Sequence, residues 1–328
     1  MNQPASSTEV RRNTIGGWEA NFSSVTESVT QNVVNRLIDI LHQWQSIFPL
    51  ANTWVGQEYK IPSLFVRLDF VIHDGKVWVY EIEDRPCGLG FTSAINTFFA
   101  ERAAAMKKKW PEIRWVKSAF RETDDEPFFG PPLSLEDALT GDYPHLLVRS
   151  RPEEVAYHPL EERSVSTVSE EGNKRYGTAL KWWDIVTAHQ NEDGRWYLDS
   201  PLQGPCVVKP VQGTRARLVM VHYPNQNPEA TKKQSRTDIV TGGGEIRSVG
   251  ALIKTIAQQP NRQMCVQPFI PPMRLPHQPH LNTIYRFLFG FDPVCREWVP
   301  LGGTWNALDR LIVHGTDRTV FGPLVFQS

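Results

Sequence analysis

Residues 67–86, RLDFVIHDGKVWVYEIEDRP, carry the densest chemistry of the 328-residue chain. Side chains alternate across a strand. Arg67 and Asp69 therefore share one face, and Leu64, Val66, Leu68, Phe70 and Ile72 the other. On the next segment Glu81 and Glu83 point one way, and Trp78, Tyr80 and Ile82 the opposite way. Asp74-Gly75 is the turn signal between them. Directly paired residues of an antiparallel ladder point to the same side. A three-residue loop at 74–76, or a bulge, thus sets Asp69 opposite Glu81 and Arg67 opposite Glu83. Carboxylates that close repel one another unless a cation joins them, and hard oxygen ligands suit Mg²⁺ or Mn²⁺. The plainer reading is a hairpin with a charged, solvated outer face.

A second segment, PCVVKPVQGTRAR at 205–217, delivers Lys209 at the end of a short apolar strand. Pro210 stops the strand, and Gly213 opens a loop carrying Arg215 and Arg217. A buried ammonium needs a partner, and a phosphate under a glycine-containing loop is one; a snorkelling surface lysine is the alternative. Lys174, in EGNK, opens a helical pattern. Residues 265–270, CVQPFI, form an apolar strand whose Gln267, Phe269 and Ile270 could border a flat ring, or serve as ordinary core.

The elements that must hold these residues follow from periodicity. Residues 24–48 read as one amphipathic helix, with Val33, Val34, Leu37, Ile40, Leu41, Trp44 and Ile47 on its apolar stripe. Strands are expected at 63–72 and 77–83, a helix at 92–109, and a proline-rich, acidic loop at 121–145. A strand at 146–151 ends at Pro152, and 174–188 reads as helical. Further strands fall at 206–210, 217–222, 264–270, 283–291 and 298–301, with a helix at 248–258. Residues 223–233 and Gly242-Gly243-Gly244 read as loops, and no internal repeat is visible. Residues 1–20 read as a polar tail, 21–145 as the part holding the helix and acidic hairpin, and 146–328 as the part holding the lysines.

Composition sets the outer bounds. The hydrophobic fraction of 40% and charged fraction of 22% are those of a globular protein. With 35 basic and 36 acidic residues the net charge is −1, so no nucleic-acid partner is expected. Cys87, Cys206, Cys265 and Cys295 are widely spaced and form no C-x-x-C pair. No signal pattern or long apolar run is visible. The expectation is a cytoplasmic protein without a membrane partner; oligomeric state is not readable.

Taken together, R-x-D, then E-x-E, then N-K, then V-V-K-P with a glycine loop resembles the synthetase domain of glutathionylspermidine synthetases, over roughly residues 60–320. That resemblance implies an α+β fold, a circularly permuted ATP-grasp with mixed and antiparallel sheets and flanking helices. It implies ATP and Mg²⁺ as cofactors, with Asp69, Glu81 and Glu83 holding the metal; Glu83 stands where the family usually has asparagine. Lys174 and Lys209 would bind ATP phosphates, Gly213 and Arg215 would lie in the phosphate loop, and Gln267, Phe269 and Ile270 would border adenine. Arg67 would face the acyl-phosphate, and Arg286 or Arg310, the latter after a Gly302-Gly303 turn, would stabilise the transition state. The implied reaction joins a small-molecule or peptide carboxylate to an amine through an acyl-phosphate. Two other readings stay open: a magnesium-dependent nuclease using the Asp69/Glu81 hairpin, and a phosphotransferase or non-catalytic nucleotide-binding descendant of the fold.

Overall fold

A computed structural model describes residues 10–15, 18–47, 64–83, 86–110, 112–117, 126–149, 155–161, 184–210, 218–222, 239–241, 246–313 and 318–327. Strands β1 (Val10–Ile15), β2 (Trp18–Ser23) and β3 (Glu27–Thr30) precede helix α1 (Gln31–Ile47). β4 (Phe65–His73) and β5 (Lys76–Glu83) form the acidic hairpin. Helices α2 (Leu89–Ile95) and α3 (Thr97–Lys107) follow. A small unit comprises β6 (Arg114–Lys117), α4 (Glu126–Phe129), α5 (Leu135–Thr140), β7 (Leu146–Arg149) and α6 (His158–Glu161). Next come β8 (Asp184–Gln190), β9 (Trp196–Leu198), β10 (Cys206–Pro210), β11 (Met220–His222), β12 (Ile239–Thr241), β13 (Ile246–Arg247) and α7 (Val249–Ala257). β14 (Gln263–Pro268), β15 (Met273–Leu275), β16 (Gln278–Asp292), β17 (Glu297–Leu308) and β18 (Val320–Gln327) complete the order.

These strands make an α+β protein with one mixed and one antiparallel large sheet. The first runs β1-β2-β18-β17-β16-β4-β5, with β15 beside β16 and β3 beside β18. It is antiparallel except where β18 pairs with β2 and β3 in parallel. The second runs β13-β12-β11-β10-β14-β8-β9 and is antiparallel throughout. β6 and β7 form a separate parallel pair. Among the described residues, no helix is long and apolar enough to cross a membrane.

The apolar stripe of α1 folds as its spacing requires. Val34, Leu37, Ile40, Leu41 and Trp44 are fully buried in a core shared with Leu68, Phe70, Phe287, Phe289 and Trp305 of the first sheet. Each such side chain contributes about 1.5–3 kcal/mol on burial. α7, capped by the Ser248 hydroxyl on Ala251 N, lays Leu252 and Ile256 on Val186, Ala188, Val208 and Met264 of the second sheet.

Several sequence expectations are corrected. Within the supposed tail, residues 10–15 and 18–20 are strand, and the helix expected from residue 24 begins at Gln31 because β3 intervenes. Ladder partners explain both changes: β18 pairs with β2 and β3, β2 in turn pairs with β1, and pairing overrides weak local preference. The helix expected at 92–109 breaks at Asn96, whose side chain caps α3 at Phe99 N while its amide donates to the carbonyls of Gly303 (2.8 Å) and Leu324 (2.9 Å). The expected loop at 121–145 contains α4 and α5; Phe128 packs edge-on against Phe65 there. Residues 184–188, expected as helix, belong to β8, which is paired on both sides by β14 and β9. The rest of that expected helix lies outside the described residues, as do 223–233 and the glycine run 242–244.

Candidate functional site

The hairpin turn is two residues long. Asp74 (φ 51°) and Gly75 (φ 71°) both take left-handed backbone, which matches strand twist and closes His73 onto Lys76. From there Phe70 pairs with Val79, yet Asp69 pairs with Glu81 and Arg67 with Glu83. Tyr80 is the extra residue of a bulge. The expected carboxylate and arginine pairing is therefore present, produced by the bulge and not by a three-residue loop. The bulge also splits the expected apolar face of β5. Val79 and Ile82 enter the main core, whereas Trp78 and Tyr80 pack with Val71, Ile284 and Leu308 in a separate cluster.

Alternation from Val71 places Asp69 and Arg67 on that second face. Arg67 is 7% exposed and Asp69 4%. Arg67 Nε donates to Asp69 Oδ1 (2.7 Å), Nη2 to Asp69 Oδ2 (3.3 Å) and Nη1 to the Cys87 carbonyl (3.3 Å), and Nη2 also pairs with Glu83. β16 runs beside β4 with Arg286 opposite Asp69, and Arg286 Nε reaches Asp69 Oδ2 at 3.1 Å. One carboxylate thus carries two guanidiniums. β17 completes the network: the Asn306 amide, turned as its neighbours require, accepts from Arg286 Nε (3.2 Å) and Nη1 (3.0 Å). Its nitrogen donates to Thr304 Oγ1 (2.8 Å) and the Trp305 carbonyl (3.1 Å). Burial disfavours the Arg67 charge, but the Asp69 and Glu83 carboxylates outweigh it and hold the guanidinium's pKa well above its ordinary value.

Close approach of β17 to β16 underlies this placement. A Cβ on Gly303 would sit 1.9 Å from the Arg286 carbonyl oxygen, so only glycine fits. Gly302 (φ 96°) accompanies a register shift after Leu288. These glycines, expected to form a turn before Arg310, are instead inside the strand.

The second sheet meets the hairpin at the bulge. Cys206 and Val208 of β10 face α7, so Val207 and Lys209 face the other way. Lys209, 7% exposed, donates from Nζ to the carbonyl of Tyr80 at 2.6 Å and lies 6.0 Å from that ring's centroid. The Tyr80 hydroxyl donates to the Ile270 carbonyl, beyond the end of β14. Burial raises the Tyr80 phenol pKa well above its ordinary value, so it stays a donor. Val207 also joins Val219, Val221, Phe269 and Ile312 in an apolar cluster. Gln267, paired with Val207, points to that side; its Oε1 is buried and meets no hydrogen-bond donor.

Of the expected site residues, Arg67, Asp69, Glu83 and Arg286 are brought together, Glu81 is on the same strand face, and Lys209 reaches the adjoining backbone. Arg310 lies past the end of β17, where its carbonyl accepts from Asn282 Nδ2 (3.1 Å); its side chain is half-buried. Lys174, Gly213 and Arg215 lie outside the described residues. Sequence reasoning missed Asn306 and Thr304, polar residues alternating through an otherwise apolar strand, which is the signal that marks them.

As a donor set, Asp69, Glu81 and Glu83 suit a hard divalent cation. Their present arrangement gives Asp69 and Glu83 to arginines, and among the described residues no group of three His, Cys, Asp or Glu converges as a metal centre. In the buried pair Cys206–His222 (Sγ to Nδ1, 3.9 Å) burial pushes the thiol up to about 11, and Nδ1 is engaged by the Gly204 carbonyl (3.0 Å), which disfavours a reactive thiolate. No family model, curated protein or solved structure matches the chain.

Proposed function

We propose that the chain is a magnesium- and ATP-dependent carboxylate–amine ligase on an ATP-grasp-like pair of sheets. The observation that carries this reading is the junction at Tyr80. There the lysine ending a central strand of the second sheet rests on hairpin backbone directly before Glu81. A phosphate-binding type of cation and a carboxylate cluster thus adjoin at one junction, the juxtaposition that phosphoryl transfer uses.

In this reading Asp69, Glu81 and Glu83 would hold Mg²⁺, which offsets charge on the transferred phosphoryl group. Lys209 orients the phosphates, together with Lys174, Gly213 and Arg215. The apolar cluster of Val207, Val219, Val221 and Phe269 takes the base and excludes water. The orphaned Gln267 Oε1 calls for a donor, which an exocyclic amine supplies. Arg67 and Arg286 stabilise the oxygens of an acyl-phosphate formed from the substrate carboxylate, until an amine displaces phosphate. Arg286 takes the transition-state role over Arg310 because it contacts Asp69.

Calorimetric titration with a non-hydrolysable ATP analogue, with and without magnesium, tests the proposal. Magnesium-dependent binding that falls at least about tenfold in Lys209→Ala supports it. Absence of binding in either condition removes it.

A further inference from the structure

The ion pairs of the candidate site suggest how its ligands enter. Arg67 and Arg286 together carry two positive charges, Asp69 and Glu83 two negative ones, and ion pairs link these four into one quartet, with Glu81 beside it on the same strand face. Arg67 and Asp69 are more than nine-tenths buried, so neither can be left without a partner cheaply. A divalent cation arriving alone must displace the Arg286 guanidinium from the Asp69 carboxylate it needs. A polyphosphate arriving alone must face the two carboxylates that hold the guanidiniums it needs. When both arrive, each takes the partner the other releases, and every buried charge stays paired.

We propose that the Arg67–Asp69–Arg286–Glu83 quartet is a charge-exchange device that makes divalent-cation and polyphosphate binding strongly and positively coupled, with Arg286 as the exchanging residue. Arg286 is the natural mover. It is 19% exposed at its side chain against 8% for Arg67, and Asn306 on β17 offers its guanidinium a second acceptor to pivot on. Arg67, anchored also to the Cys87 carbonyl, stays with the hairpin. The inference rests on the nucleotide reading of the site but says something that reading does not require. A resident metal site would bind its cation first, and this one does not.

The test uses the full chain, Mn²⁺ as the cation and inorganic tripolyphosphate as the anion. Each is titrated alone and in the presence of the other, with their complex in solution accounted for. The expected result is weak binding of either alone. Each should tighten by about tenfold or more when the other is present, by the same factor in both directions as linkage demands. Arg286→Gln should do something no purely structural arginine does: tighten Mn²⁺ alone by several-fold, because its competitor is gone, while the coupling factor drops toward one. Arg286→Lys, which keeps the charge, should retain weak Mn²⁺ binding and part of the coupling.

Coupling near one in the wild-type chain, with both ligands still binding, overturns the exchange while leaving the nucleotide reading intact. Weaker Mn²⁺ binding in Arg286→Gln overturns it as well. Failure of the two ligands to bind even together overturns both.

Discussion

The two large sheets differ in the buried polar residues they bring toward Tyr80. The inward face of the first carries a closed network in which Arg67, Asp69, Arg286, Asn306 and Thr304 satisfy one another across three adjacent strands. The corresponding face of the second is nearly all aliphatic, Val207, Val219 and Val221, interrupted by Lys209 and by a glutamine whose carbonyl meets no donor. Around Tyr80 the first sheet presents charge already organised, and the second presents apolar shape with the unmet Gln267 Oε1 among its described residues. Under the proposed function the ionic groups of a ligand would fall to the first sheet and its flat apolar part to the second, with Tyr80 where the two meet.

The sharpest way to break this division is to remove the hub of the network. Asp69→Asn leaves two guanidiniums facing a neutral amide in a buried setting. Stability should fall by about 3–5 kcal/mol in urea titration, and hydrogen exchange should rise in β4, β16 and β17 while the second sheet stays protected. Equal loosening of both sheets would show that they are not separate in this sense. Gly303→Ala attacks the same network through the backbone. Its Cβ would force β17 off β16 at the Arg286 carbonyl, and thermal unfolding should report a loss of about 1–3 kcal/mol.

Acid sharpens the contrast more gently. Asp292, at the far end of β16, is paired with Lys109 and accepts from the backbone amides of Val294 and Cys295. Burial alone would raise its pKa; those bonds outweigh it and hold the carboxyl down at about 2. A depressed carboxyl stabilises the fold above its unfolded pKa, near 4, and that contribution is lost as pH falls from about 4 through about 2. About 1–2 kcal/mol should disappear over that window after discounting the half-exposed Lys109. Asp292→Asn should flatten the loss, as read by denaturation at pH 2–5. The smallest effect is expected at the joint itself. Tyr80→Phe removes only the bond to the Ile270 carbonyl, about 1 kcal/mol. Protection should drop in 263–272 without change in α1.

How legible all this was depends on the range of the deciding contact. The Asp69–Glu81 and Arg67–Glu83 pairs follow from alternation within twenty residues of chain. The position of the bulge does not, because Tyr80 is held by Lys209 and Ile270, 129 and 190 residues away in sequence. Which of Arg286 and Arg310 lies beside the hairpin likewise waits on the register of β16 against β4. Residues 184–188 show the limit of short apolar patterns, which fit helix or strand until β14 and β9 supply ladder partners. The α1 stripe needed no such help, since its spacing alone selects the face that is buried.

The parallel docking of β3 on β18 has a consequence in time. Gln327 Nε2 donates to the Ser28 hydroxyl across 299 residues of sequence, and Leu324 to Gln327 pair with Glu27 to Thr30. During synthesis the first strands and α1 are made long before the strand that receives them. Until then their apolar stripe has to wait, covered by chaperones or by transient contacts. Contacts of such separation favour slow folding. A chain that stalls before β18 would leave the N-terminal strands without their mates, open to pairing with another copy.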